Sequence, residues 1–173
     1  ENGVEIRQEK IQIPESNKYD LISTSRLVKW KNIDKLIELS GRTKCRLAIV
    51  GDGPELGPLL ELSAKLNAPV SFLGKMNQKD LFETIAASSI FALISSYEGQ
   101  SFGLLEAMSV GKPVIVSSIP QNCEVVTNGK NGMVVDLKNL GNMGDEFQRL
   151  IANKDLLNFY GQENLKLIKT KFN

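Results

Sequence analysis

The chain has 173 residues, enough for one domain with a full apolar core. Lys plus Arg number 21 against 20 for Asp plus Glu, and a net charge of +1 argues against a nucleic-acid binder driven by bulk charge. Histidine is absent, which removes a Ser-His-Asp triad and a histidine base, and Cys45 and Cys123 sit in no metal-ligand pattern and read as free thiols.

In chain order, short apolar runs alternate with amphipathic stretches. A strand-like run over 19–23 leads into Ser25-Arg26-Leu27-Val28-Lys29-Trp30-Lys31-Asn32 and a helical pattern over 33–39. Trp30 is expected to pack against a neighbouring element. A second strand over 46–50, opened by Cys45, runs into Gly51-Asp52-Gly53-Pro54 and a helix over 55–66, with Pro54 suited to the first turn. A third strand covers 70–73, and Asn77 caps a helix over 79–87. After the strand at 90–94, the loop Gly99-Gln100-Ser101 opens a helix over 102–110, apolar at Phe102, Leu104, Leu105 and Met108. Gly111 falls where a helix end takes positive φ, and Pro113 follows. The strand at 113–116, a loop over 117–124, turns at Asn128-Gly129 and Asn131-Gly132 and a strand at 133–135 complete the series.

The tail over 155–172 is a helix with Leu156, Phe159, Tyr160, Leu165 and Ile168 apolar. It is expected to pack on its own domain, with Lys166, Lys169 and Lys171 facing a membrane as the alternative. No stretch approaches the ~20 apolar residues that span a bilayer. Regular alternation of strand and helix predicts an α/β fold: a doubly wound parallel sheet of about six strands with helices on both faces.

In such sheets ligands bind at the carboxyl ends of the strands. Arg26 and Lys31 share the loop after the first strand, where a guanidinium can fork onto phosphate oxygens and an ammonium adds a point charge. The helix start at Ser101 offers free amides and a positive dipole end to an anion. Glu98 and Glu106 flank it, Glu106 about 7 Å along the axis from Ser101. The arrangement suits a ligand with a diphosphate in the middle and hydroxyl-rich sugars at both ends. Gly51, Gly53 and Gly57 invite a dinucleotide reading, but the acid such a site needs after the next strand is replaced by Gly74-Lys75-Met76, and no Gly-Lys-Ser/Thr makes a P-loop.

Glu98 and Glu106, the Phe102-Gly103 dipeptide, Glu106-Ala107-Met108 and Gly111-Lys112-Pro113-Val114 together resemble the signature of family-four retaining glycosyltransferases. That resemblance implies the two-domain GT-B fold, with this chain as its Rossmann-like carboxy-terminal, donor-binding domain. It implies that Glu98 contacts the transferred sugar and Glu106 the ribose. Arg26 and Lys31 would hold the diphosphate, joined by amides from Ser101 and Phe102 through Gly103 to Leu104. Gly51 and Gly53 would turn beside the nucleotide, with its base against the backbone of Lys75 and Met76. Glu124 would fix its loop. Ser25 and Asn32 depart from the family's frequent glycines, and Pro120 and Asn122 stand where many relatives have a glycine pair.

The resemblance further implies a nucleotide diphosphate sugar as donor, UDP-sugar favoured and GDP-sugar open, with no cofactor and no metal. The acceptor would be a glycan or a lipid-linked acceptor bound through an amino-terminal domain absent from this chain, which opens Glu1-Asn2 without Met and reads as a fragment. Residues 1–18 would be the interdomain linker and first element, beginning with an Asn-Gly turn, and 19–173 the nucleotide-sugar-binding domain. Cytoplasmic location is expected, with peripheral attachment to the cytoplasmic face of the inner membrane as a variant, in bacterial polysaccharide, capsule or lipopolysaccharide synthesis. Two alternatives stay open: a nucleotide-sugar epimerase of GT-B fold, and a non-catalytic doubly wound binding module.

Overall fold

The structure, a computed structural model, describes residues 18–172. Among these, six parallel strands form one sheet: β1 (Tyr19–Thr24), β2 (Leu47–Val50), β3 (Val70–Gly74), β4 (Ser88–Leu93), β5 (Val114–Ser117) and β6 (Gly132–Val135). Their spatial order is β3-β2-β1-β4-β5-β6, so the direction of winding reverses between β1 and β4. Helices α1 (Ile33–Thr43), α2 (Leu56–Lys65), α3 (Gln78–Ala86), α4 (Phe102–Ser109), α5 (Pro120–Cys123), α6 (Met143–Ala152) and α7 (Lys154–Lys171) complete the fold.

Successive strand side chains point to opposite faces, and here each face builds its own core. Leu21, Ile49, Ile90 and Ala92 meet Leu36 and Ile37 of α1, Leu59 of α2 and Phe147 and Leu150 of α6. Ile22, Ala48, Phe91 and Leu93 meet Ile85 of α3 and Leu104, Leu105 and Met108 of α4. Burying each Leu, Ile or Phe contributes about 1.5–3 kcal/mol relative to exposure. The two cores together hold the doubly wound form that the strand–helix alternation predicts. α7 serves both faces, with Tyr160 in one core and Ile168 in the other, so it packs on its own domain.

Local signals held where they were local. The Asp80 amide donates to Asn77 Oδ1 at 2.9 Å, and Gly111 closes α4 with φ 72°. Elsewhere the structure corrects the reading. α1 continues past residue 39 to Thr43, α6 stands where no element is predicted, and the loop over 117–124 contains α5. Pro54 lies in the turn before α2, where the Leu56 amide donates to Gly53 O at 3.2 Å. Asn131 is buried: it accepts from the Thr127 amide and donates to Val125 O and to Asn164 Oδ1 of α7. Cys45 is buried and Cys123 exposed, both as free thiols. The expected linker and Asn-Gly turn lie outside the described residues except for Lys18, whose amide donates to Ala87 O.

Candidate functional site

Three loops at the carboxyl ends of β1, β2 and β3, with α4 as the far wall, enclose a cleft of about 580 Å³. It lies beside the reversal of strand order, where an open α/β sheet leaves room for a ligand. Its shape depends on close backbone approach. At Gly51, φ is 131° and an added Cβ would lie 1.8 Å from Ser25 O; at Gly103 it would lie 2.7 Å from Thr24 Oγ1. Glycine at these two positions lets the loop after β2 and the first turn of α4 seat directly against the end of β1. The Leu27 amide donates to Asp52 O and the Glu55 amide to Leu27 O, which locks the loops after β1 and β2 together.

Arg26, Gly51, Gly53, Lys75, Met76, Gly103 and Glu106, seven of the twelve residues singled out from the sequence, line this cleft. The Arg26 guanidinium and the Lys75 ammonium make no bond with any described residue, so both charges are available to an anion. Ser25 Oγ is buried in the cleft wall without a hydrogen-bond partner. Glu106 is half-buried, and burial pushes its carboxyl above the usual glutamate range. The Gly53 amide is taken by Asp52 Oδ1 at 2.7 Å, which favours a turn-forming role.

Of the other five, Ser101, Phe102 and Leu104 lie at α4's entry, Glu98 on the loop after β4 and Lys31 on the loop after β1. Ser101 caps α4: its Oγ accepts from the Leu104 amide at 3.3 Å. That amide is therefore occupied, and Leu104's side chain belongs to the core. The amides of Phe102 and Gly103 make no bond with any described residue and remain free donors at the start of α4. Phe102 and Trp30 are each about half exposed, so Trp30 is covered only in part.

Lys31 and Glu98 meet each other. Lys31 Nζ lies 2.5 Å from Glu98 Oε1, with Glu98 only 6% exposed. Between them Asn32 takes the left-handed conformation, φ 53°, at the place where glycine is frequent; asparagine tolerates it better than most residues. Its Nδ2 donates to Ile94 O at 2.7 Å and Ser96 Oγ at 2.9 Å, and the Ser96 amide donates to Trp30 O. The loops after β1 and β4 are thus joined across the reversal point. Among the described residues, no group of three or more Cys, Asp or Glu side chains could hold a metal ion, and no helix is long and apolar enough to cross a membrane.

The profile of the family described as Glycosyl transferases group 1 matches residues 5–166. An uncharacterised glycosyltransferase of Methanocaldococcus jannaschii is 33% identical over 95% of this chain and 44% of its own length. TarM of S. aureus, solved with fondaparinux, α-GlcNAc-glycerol and UDP, superposes with TM-score 0.86 at 23% identity, over 99% of this chain and 36% of TarM. The C-terminal domain of a glycosyl transferase group 1 protein, LpcC, from Francisella tularensis superposes with TM-score 0.78 at 24% identity, over 91% of this chain and 87% of that domain. The chain spans less than half the length of the curated relatives it matches first.

Proposed function

The chain belongs to the glycosyl transferases of group 1, and on that premise we propose that its cleft binds the nucleotide diphosphate of a sugar donor. The observation that carries this reading is the pairing, in one cleft, of an unpartnered Arg26 and Lys75 with Gly103, whose amide is free, and with Glu106; the free Phe102 amide precedes Gly103 at the start of α4. The diphosphate would lie between Arg26 and the start of α4, where positive charge and helix dipole coincide. Glu106 would accept from the ribose hydroxyls, and the base would lie along the backbone of Lys75 and Met76. UDP is favoured, as the nucleotide bound by TarM, and GDP is the second choice.

Transfer would proceed with retention at the anomeric carbon. The acceptor oxygen bonds to that carbon from the face the diphosphate leaves, the carbon–oxygen bond to phosphate breaks, and the acceptor's proton passes to a leaving phosphate oxygen. The protein's part is to stabilise charge building on the diphosphate, through Arg26, Lys31 and the two amides. Glu98 would hold the transferred hexose or N-acetylhexosamine. Lys31 reaches the diphosphate by leaving or sharing Glu98. A glycan or lipid-linked acceptor would bind through an amino-terminal domain, at the cytoplasmic face of the inner membrane in polysaccharide assembly. The domain would comprise residues 19–173, preceded by a linker over 1–18.

A ligand that binds only the folded state raises its melting temperature. Melts of the folded chain in saturating UDP, GDP or ADP test the reading. It expects one of the three to raise the midpoint, and a midpoint unmoved by all three contradicts it.

A further inference from the structure

Glu98 carries its charge into a nearly closed site, where an ionised carboxylate needs partners. Its Oε1 accepts from both Lys31 Nζ and Ser95 Oγ, and Oε2 makes no bond with any described residue. Two more links stand behind Ser95. Ser117 Oγ, at the end of β5, donates to Ser95 O at 2.5 Å. Asn122 Nδ2, on α5, donates to both Ser117 O and Ser117 Oγ at 3.1 Å. Ser95, Ser117 and Asn122 are all 1% exposed or less.

Chemistry fixes the direction of every proton in this chain. A carboxylate and a carbonyl only accept, so Ser95 commits its single hydroxyl proton to Glu98 and Ser117 commits its own to the Ser95 carbonyl. Ser117 Oγ is left as an acceptor, and the Asn122 amide fills it. The bond from Ser117 to the Ser95 carbonyl cannot reverse, because a carbonyl has no proton to give. A glutamate held this way loses little side-chain freedom when a ligand arrives, whereas an unheld one must be ordered at that moment.

We propose that Ser95, Ser117 and Asn122 are positioning residues that hold Glu98 through Oε1, leaving Oε2 to accept a hydroxyl of the donor sugar. The proposal rests on the donor-binding reading of the cleft. Asn122 occupies one of the positions where the sequence departs from the family's frequent glycine pair, and its amide secures the far end of the relay.

Calorimetric titration of the chain with UDP against UDP-N-acetylglucosamine, and with GDP against GDP-mannose, tests it. The readout is the ratio of sugar-nucleotide affinity to bare-diphosphate affinity for the pair the wild type binds. Ser95→Ala and Ser117→Ala should each lower that ratio roughly five- to tenfold, the scale of one lost hydrogen bond. Bare-diphosphate affinity should stay within about twofold. Ser95→Thr, which keeps the hydroxyl, should keep the ratio, and Glu98→Gln sets its lower limit. Ser117→Ala keeps the test open if Ser95→Ala does not fold.

A ratio unchanged in the alanine variants overturns the proposal, as does a parallel fall in bare-diphosphate affinity, which would mark a packing role. A wild-type ratio near one overturns it too. Failure of the wild type to bind either diphosphate takes down the donor-binding reading along with the proposal; a wild-type preference for sugar nucleotide that the serine variants retain takes down the proposal alone.

Discussion

Glu106 joins the cleft's chemistry to the stability of the fold. Burial raises its folded-state pKa, and no described residue offers a compensating bond. The folded chain therefore binds this proton more tightly than the unfolded chain, and Glu106 weakens the fold once pH rises through the raised value. Below about pH 4, under the ordinary glutamate pKa, both states are protonated and the effect vanishes. Glu106→Gln should consequently raise the melting temperature at pH 7 and leave it unchanged near pH 3. Equal melting temperatures at pH 7 would contradict this account of the site. At this scale the sequence was legible in residue types more than in pairings. The spacing of Arg26, Glu98 and Glu106 pointed to an anion flanked by acids. The meeting of Lys31 with Glu98, 67 residues apart, and the relay through Ser95, Ser117 and Asn122 depend on which strand ends are neighbours. No local pattern encodes that.

Among the elements, α7 shows most clearly what tertiary packing adds. Asn164 donates to Lys112 O at 2.8 Å and accepts from Asn131 Nδ2 at 2.9 Å, tying the helix to the approach of β5 and to the turn before β6. Lys112 itself is buried, its Nζ donating to Ala86 O and Ser88 O, and burial pulls its pKa down to about 8. Asn164→Ala would take the side-chain partner from the Lys112 carbonyl and from one N–H of Asn131, whose other N–H keeps Val125 O, at about 1–3 kcal/mol for each group left unsatisfied. Urea unfolding should show a loss in that range or above it; a change under about 0.5 kcal/mol, the usual effect of a surface substitution, would contradict the clamp. Strands were readable because their apolar runs and flanking turns are contiguous. α1 reads short because Ser40-Gly41 resembles a stop, yet Gly41 sits inside the helix, where an added Cβ would come within 3.1 Å of Leu66 Cβ. α6 carries Met143, Phe147 and Leu150 at helical spacing behind Asn142, with Asp145 and Glu146 in its first turn, although Asn142 makes no side-chain cap bond.

For the molecule as a whole, the reversal of strand order between β1 and β4 and the two-sided core follow from the alternation of strand and helix, and they decide where a ligand can enter. The loops after β1, β2 and β3 bring Arg26, Gly51 and Lys75 to one cleft, and α4 brings Gly103 and Glu106 to its other wall. The chain spans 44% of the length of its M. jannaschii relative. The most direct test is a calorimetric titration of the chain with UDP and GDP, repeated on Arg26→Ala and Glu106→Gln. Saturable binding of one nucleotide, weakened roughly tenfold or more by each substitution, is the predicted result, on the scale of a lost charge-assisted hydrogen bond. Binding that neither substitution alters would place the nucleotide elsewhere and contradict the assignment of this cleft.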